Sequence, residues 1–250
     1  MGVMDRKRLL ISISIPVLNE AGNIEALYFR LCAVANRMND RYDFEFVFSD
    51  NYSHDSTWQM LRELASKDER VRAIRFSKNY GFQRSILANY MHARGNAVMQ
   101  LDADLQDPPE MLEAFLEQWE KGYQVVYGIR RGRPESIFLR TFRRLGYWVI
   151  DKISEYPIPR DVGDFRLIDR KVIQSLLQIK TASPYLRGMI AGLGFNQTGI
   201  PYDRGTRMAG ESKFSRVVPF DNLLIFRIFL SSICQLRGQR TGLLRKLIDS

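Results

Sequence analysis

Cysteine is nearly absent from this chain of 250 residues. Cys32 and Cys234 alone build neither a disulfide framework nor a zinc knuckle, which fits a reducing compartment. Histidine is equally scarce. His54 and His92 exclude a His-rich metal site and leave no Ser-His-Asp order. No G-x-G-x-x-G follows the first apolar run, which argues against a dinucleotide fold. Gly205 to Ser212 has P-loop glycine spacing, but Glu211 stands where the phosphate-binding lysine belongs. Long uninterrupted apolar runs are missing too. The N-terminal run to Val17 is broken by Ser12 and Ser14 in strict alternation and lacks a small-residue cleavage site, so it reads as a buried strand rather than a signal peptide. Arg6 occupies the position where Gly2 myristoylation needs Ser or Thr. Val217 to Leu236 is interrupted by Asp221, Asn222 and Arg227 and falls short of a spanning helix. It reads as an amphipathic helix followed by Arg237, Arg240, Arg245 and Lys246. That helix either lies in a membrane interface or packs on the domain or a partner.

What is present is ordinary globular chemistry with a basic surplus. Hydrophobic residues make up 45% and charged residues 26%, which rules out disorder, collagen and coiled coil. The net charge of +9 is concentrated. Six basic residues face one acid between Arg130 and Arg144, and nine face three from Arg204 to Ser250. Outside these patches the chain is slightly acidic. Such a distribution suits an anionic partner: nucleic acid, a phosphorylated substrate or an anionic membrane.

The elements alternate. Strands are expected at Leu9–Val17, Phe44–Phe48, Val71–Phe76, Ala97–Leu101 and Gln124–Ile129. Helices are expected at Asn23–Arg37 (with Asn23 as N-cap), Ser56–Ala65, Gln83–Ala93 and Pro109–Glu120. This is an α/β pattern, a parallel sheet covered by helices, and such sheets bind ligands at the carboxyl ends of their strands. Those ends read Pro16-Val17-Leu18-Asn19-Glu20, Asp50, Lys78-Asn79-Tyr80-Gly81, Asp102-Ala103-Asp104-Leu105-Gln106-Asp107 and Arg130. Any one could be loop solvation; their agreement on one edge points to a site. Asp102 and Asp104, two apart in an extended segment, project to one side and repel without a cation between them. Mg²⁺ or Mn²⁺ takes such oxygen ligands, with Gln106 able to add an amide oxygen, and keeps positions open for phosphates. The alternative is capping of the helix near Pro109, where Asp107 is well placed.

These residues resemble family 2 glycosyltransferases with the GT-A fold, on the branch of dolichyl- and polyprenyl-phosphate sugar synthases. The resemblance runs from about Leu9 to Phe214. It is carried by Ile15 to Glu20, by Asp50 with Ser53 and Asp55, by Asp102 to Glu110, by Gly163-Asp164-Phe165-Arg166-Leu167 and by Arg207-Met208-Ala209-Gly210-Glu211-Ser212-Lys213-Phe214. It implies a mostly parallel central sheet sandwiched by helices in a glycosyltransferase domain over 1–215, with the basic amphipathic helix in 216–250. It implies an NDP-sugar donor whose nucleotide meets Pro16, Asn19, Glu20, Asp50, Lys78, Gly81, Asp102 and Ala103. Asp102, Asp104 and Gln106 would hold the metal, Mg²⁺ or Mn²⁺. Arg130 and Arg140 match arginines facing the acceptor phosphate. Arg207, Ser212 and Lys213 match a loop over the phosphates, and Asp164 lies near the reacting centre. Asn51 and Tyr52 depart from the usual acid and glycine, and the choice of UDP or GDP stays open.

The implied reaction is an inverting displacement onto a lipid phosphate by a protein peripheral to the cytoplasmic membrane face. A lipid phosphate is already anionic and needs no base. With a soluble sugar hydroxyl as acceptor a base becomes necessary, and Asp164 is the candidate. Two other classes remain at this stage: a basic nucleic-acid-binding module, for which the carboxylate pair would be superfluous, and a non-catalytic scaffold serving a membrane partner.

Overall fold

The strict alternation in the first apolar run becomes a strand with two different faces. The computed structural model of the chain describes residues 8–131, 162–181 and 184–205. In β1 (Leu9–Val17), Ile11, Ile13 and Ile15 enter one hydrophobic layer. Ser12 and Ser14 face the other way, fully buried, and are satisfied there. Ser12 Oγ donates to Glu45 Oε1 at 2.6 Å and Ser14 Oγ to Gln100 Oε1 at 2.6 Å. Gly95 lies against this seam and donates its N–H to Ser12 Oγ at 2.8 Å. A Cβ at Gly95 would come within 2.6 Å of the Ser12 backbone nitrogen, so only glycine fits.

Next come α1 (Ala21–Arg37), β2 (Tyr42–Asp50), α2 (Thr57–Lys67), β3 (Val71–Arg75), α3 (Phe82–His92) and β4 (Ala97–Gln100). A 3₁₀ turn at Pro109–Met111 leads into α4 (Leu112–Glu120). They are followed by β5 (Val125–Arg130), β6 (Val162–Asp169), α5 (Arg170–Leu177), α6 (Leu186–Gly192) and β7 (Gln197–Tyr202). One layer packs α1, α2 and α4 on the sheet through Ile24, Leu27, Leu31, Leu61 and Phe115. The opposite layer packs α3, α5 and α6 through Ile86, Tyr90, Val172, Ile173 and Ile190. Burying each such aliphatic or aromatic side chain contributes about 1.5–3 kcal/mol, so both faces hold their helices.

The sheet order is β3-β2-β1-β4-β6-β5-β7. All strand pairs are parallel except those made by β6, which runs antiparallel to both β4 and β5. The expected parallel sheet is therefore a mostly parallel one. A reversed strand wedged between β4 and β5 starts at the edge where its neighbours end. This brings residues 162–164 to the carboxyl ends of the other strands.

Three local expectations are corrected. Asn23 does not cap α1: the helix begins at Ala21, and the N–H groups of Asn23 and Ile24 already bond to Glu20 O. The Asn23 amide instead reaches back to Glu20 Oε2 at 2.7 Å. The segment from Pro109 is not a single α-helix, because its first turn is 3₁₀. β2 exceeds the expected Phe44–Phe48 at both ends because it pairs with β1 from Leu9↔Tyr42 to Val17↔Asp50. No described helix is long and apolar enough to cross a membrane. The amphipathic segment from Val217 to Leu236 lies outside the described residues.

Candidate active site

Three loops at the carboxyl edge are stitched into one unit. After β1, the Asn19 N–H donates to Ser53 Oγ at 2.8 Å, and the His54 N–H donates to Asn19 Oδ1 at 2.8 Å. The Glu20 N–H donates to Thr57 Oγ1 at 2.8 Å. After β2, the buried Asp50 carboxylate accepts the Ser53 N–H at 3.0 Å and pairs with Arg75 at 3.3 Å. Pro16 is buried beneath this unit, while Asn19, Lys78 and Gly81 are exposed on it. Lys78 lies over the Tyr80 ring at 5.2 Å.

Asn51 explains its own departure from the usual acid. Its Oδ1 accepts the Tyr80 N–H at 2.8 Å, and its Nδ2 donates to Asn79 Oδ1 at 2.7 Å. Asn79 Oδ1 already accepts the Gly81 N–H at 2.9 Å, so position 51 must donate as well as accept. A carboxylate cannot do both. Asn51→Asp is expected to destabilise the fold by about 1–3 kcal/mol, since the buried side chain at 51 would then set one acceptor against another across a part-buried contact. Thermal unfolding should show it as a loss of about 3–10 °C; an unchanged melting temperature would remove this account.

The backbone is strained on the same edge. Among the described residues, the non-glycine positions with positive φ are Asn19 (49°), Tyr52 (69°) and Leu105 (60°), each in a strand-end loop. Asn tolerates this region, while Tyr and Leu hold it at a cost of about 1–2 kcal/mol each. Such strain gathers where a site must be preorganised.

The turn after β4 is the electrostatic centre. The Asp102 carboxyl is pushed up to about 7, first by burial and then by the charges of Asp107, Asp164 and Asp104, with Arg204 opposing. Asp104 is buried and accepts the Gln106 N–H at 3.2 Å, and Ala103 is buried between the two acids. Asp107, which the sequence suggested as a helix cap, does something else. It is 1% exposed, accepts Tyr202 OH at 2.5 Å and Arg204 Nε at 3.1 Å, and lies 3.6 Å from Arg130. Arg130 also donates to Tyr202 OH at 3.2 Å. The Arg130 guanidinium packs against Gly163, where an added Cβ would come within 2.7 Å of it and push it aside. Arg130 is thus drawn into the carboxylate cluster.

Asp164 arrives on the reversed strand, 8% exposed. Arg187 grips it with two nitrogens, each at 3.1 Å; Arg166 lies at 3.4 Å and the Gln83 amide at 3.2 Å. Burial would raise its pKa, but Arg187 and Arg166 outweigh burial and hold it below the usual carboxylate range. A carboxylate so held is a weak base. Gln83, Arg166, Arg187, Tyr202 and Arg204 are the site residues the sequence reading did not assign. Only Arg166 had a local signal, its position two residues beyond Asp164. Arg140, Arg207, Ser212 and Lys213 lie outside the described residues.

The donor set suits a hard divalent cation. Among the described residues no three His, Cys, Asp or Glu side chains gather as a metal cage. Two carboxylates and an amide make an open set that leaves room for phosphate oxygens. The crowding that lifts Asp102 is an excess of negative charge that a cation relieves.

A seven-stranded, mostly parallel sheet carrying a D-x-D turn at the carboxyl end of β4 defines a GT-A fold. The chain belongs to glycosyl transferase family 2, whose family model matches residues 12–177. The uncharacterized glycosyltransferase YkcC of Bacillus subtilis is 40% identical over 204 residues, 81% of this chain and 62% of that protein. A prophage bactoprenol glucosyl transferase homolog of Escherichia coli is 31% identical over 208 residues, 82% of this chain and 67% of that protein. The chain therefore spans about two thirds or less of these curated relatives. Among solved structures, a mannosyltransferase from Pyrobaculum calidifontis in complex with GDP-Man and Mn²⁺ is similar at TM-score 0.58 and 19% identity. The match covers 83% of this chain and 59% of that one.

Proposed function

We propose that this chain transfers a sugar from a UDP- or GDP-sugar to a polyprenyl phosphate at the cytoplasmic face of a membrane, with inversion at the anomeric carbon. The observation that carries the reading is the convergence of Asp102, Asp104 and Gln106 with Arg130, Asp164 and Arg204 on one sheet edge. The name of the Escherichia coli relative supports a polyprenyl acceptor.

Asp102, Asp104 and Gln106 would hold Mg²⁺ or Mn²⁺. Bound there, the ion supplies positive charge against the departing diphosphate. Pro16, Asn19, Glu20, Asp50, Lys78, Gly81 and Ala103 line the nucleotide side. Arg207 and Lys213 add charge over the phosphates. Arg130, Arg140 and Ser212 orient the acceptor phosphate, where the guanidinium fork suits an anion better than a lysine point charge. The acceptor is an anion in its own right, so the reaction needs no base, in keeping with an Asp164 already held by two arginines. A soluble hydroxyl acceptor would need Asp164 as that base, and its low pKa disfavours the alternative.

Transfer is tested by incubating the protein with radiolabelled UDP- and GDP-sugars, Mn²⁺ and a short polyprenyl phosphate. A labelled lipid product is expected from one nucleotide class. Label passing only to soluble sugars, or to no acceptor, would overturn the reading.

A further inference from the structure

The carboxylate cluster already contains a cation of its own. Arg204 follows β7, and its guanidinium reaches two acids of the turn after β4. Nε is 3.1 Å from Asp107 Oδ1, and a terminal nitrogen is 3.9 Å from Asp104 Oδ2. The two contacts are unequal. The first is a charge-assisted hydrogen bond to an acid that is 1% exposed. The second is beyond hydrogen-bonding reach and purely electrostatic. The backbone beside Arg204 is tied to the same turn: the Gly205 N–H donates to Gln106 O at 2.8 Å, and the Gln106 amide lies 3.5 Å from Gly205 O. The guanidinium is therefore anchored at Asp107 and replaceable at Asp104. Its side chain is 27% exposed, so it borders the open part of the site rather than the core.

We propose that Arg204 is a resident counter-ion of Asp104, displaced by the divalent cation and turned about its Asp107 anchor onto the diphosphate of the donor. One guanidinium thus holds the metal-free turn together and then clamps the substrate anion. Arginine suits this because its fork spans two carboxylates and afterwards matches a diphosphate in two-point geometry, which a lysine ammonium does not. The inference rests on the reading of Asp102, Asp104 and Gln106 as the metal site.

It makes a prediction of opposite signs. Arg204→Gln removes a unit charge that competes with the metal for Asp104. Mn²⁺ alone, titrated into the full chain and followed by the electron paramagnetic resonance of free Mn²⁺, should bind about tenfold tighter, the scale of a unit charge against a divalent ion roughly 6 Å apart in water. UDP and GDP, titrated at saturating Mn²⁺ so that the cation has displaced the guanidinium, should bind the same variant several-fold more weakly. Arg204→Lys keeps the charge and should hold Mn²⁺ near the wild-type affinity, while leaving UDP and GDP binding weaker than wild type. A purely structural arginine would move both affinities downward together. Wild-type protein that binds Mn²⁺ while folded Arg204→Gln gains nothing overturns the role of Arg204 alone. Wild-type protein that binds no Mn²⁺, or binds it undiminished in Asp104→Ala, overturns the metal site and this inference with it.

Discussion

Asp104→Ala protein is expected to fold as well as wild type and to lose sugar transfer by about 10²–10³-fold or more, the scale of removing one preorganised electrostatic partner from a reacting centre. Fold and activity separate because of where the charge sits. Burial, and then the charges of Asp107, Asp164 and Asp104, lift Asp102 to about 7. Removing Asp104 relieves repulsion on Asp102 but gives up the Gln106 N–H bond and the long Arg204 contact, while Arg204 keeps its bond to Asp107, so the melting temperature in EDTA should change by only about a few degrees. What it removes is one of the two carboxylates the metal would use. Wild-type protein with Mn²⁺ and a saturating nucleotide should melt about 5–10 °C higher by mass action, and the variant should not. Retained turnover in a folded Asp104→Ala protein would end the account of this turn.

Asp164→Ala is expected to do the reverse and unfold the domain more easily. Arg166 is 5% exposed and bonds to Gly163 O at 2.8 Å, with the Asp164 carboxylate at 3.4 Å. Deleting the acid leaves a buried guanidinium without that charge, a loss of about 3–5 kcal/mol, read as a drop of about 10 °C in melting temperature. The double variant Asp164→Ala with Arg166→Met should recover part of it, since the stranded charge goes with its partner. The pH dependence follows from the direction of the shift. Asp164 titrates below the usual carboxylate range when folded. Its contribution is therefore complete above the unfolded value of about 4 and is lost as pH falls through the lower folded value. The part of the gap that comes from the Arg166 pairing should narrow only in acid below about pH 4. Between about pH 5 and 8 the gap should also shrink somewhat as pH rises, because the Asp164 charge, after burial, helps to raise Asp102 and the variant is spared that cost. A variant as stable as wild type would show that Asp164 is not the counter-charge of Arg166.

The elements were legible because their signals are local. β1 falls where the Ser12 and Ser14 alternation places it, and α1 keeps its expected apolar stripe of Ile24, Leu27, Leu31 and Val34. The D-x-D turn stood out because a short apolar strand ends directly before it. Helix starts were less legible: Glu20 displaced Asn23 at the first turn because the backbone N–H groups, not side-chain type, decide where a helix begins.

By itself the sequence determined the alternation of elements, the chemistry at each strand end and the family. Those depend on residue type and short spacing, which a linear chain displays directly. Tertiary structure alone decided that β6 runs backwards and delivers Asp164 to the edge of the other strands. It alone decided that Asp107 serves Tyr202 and Arg204 from 95 and 97 residues away, and that position 51 must donate a hydrogen bond to Asn79. The physical reason is the same in each case: charge pairing and hydrogen-bond direction depend on distances in space, and partners this far apart in the chain leave no periodic trace.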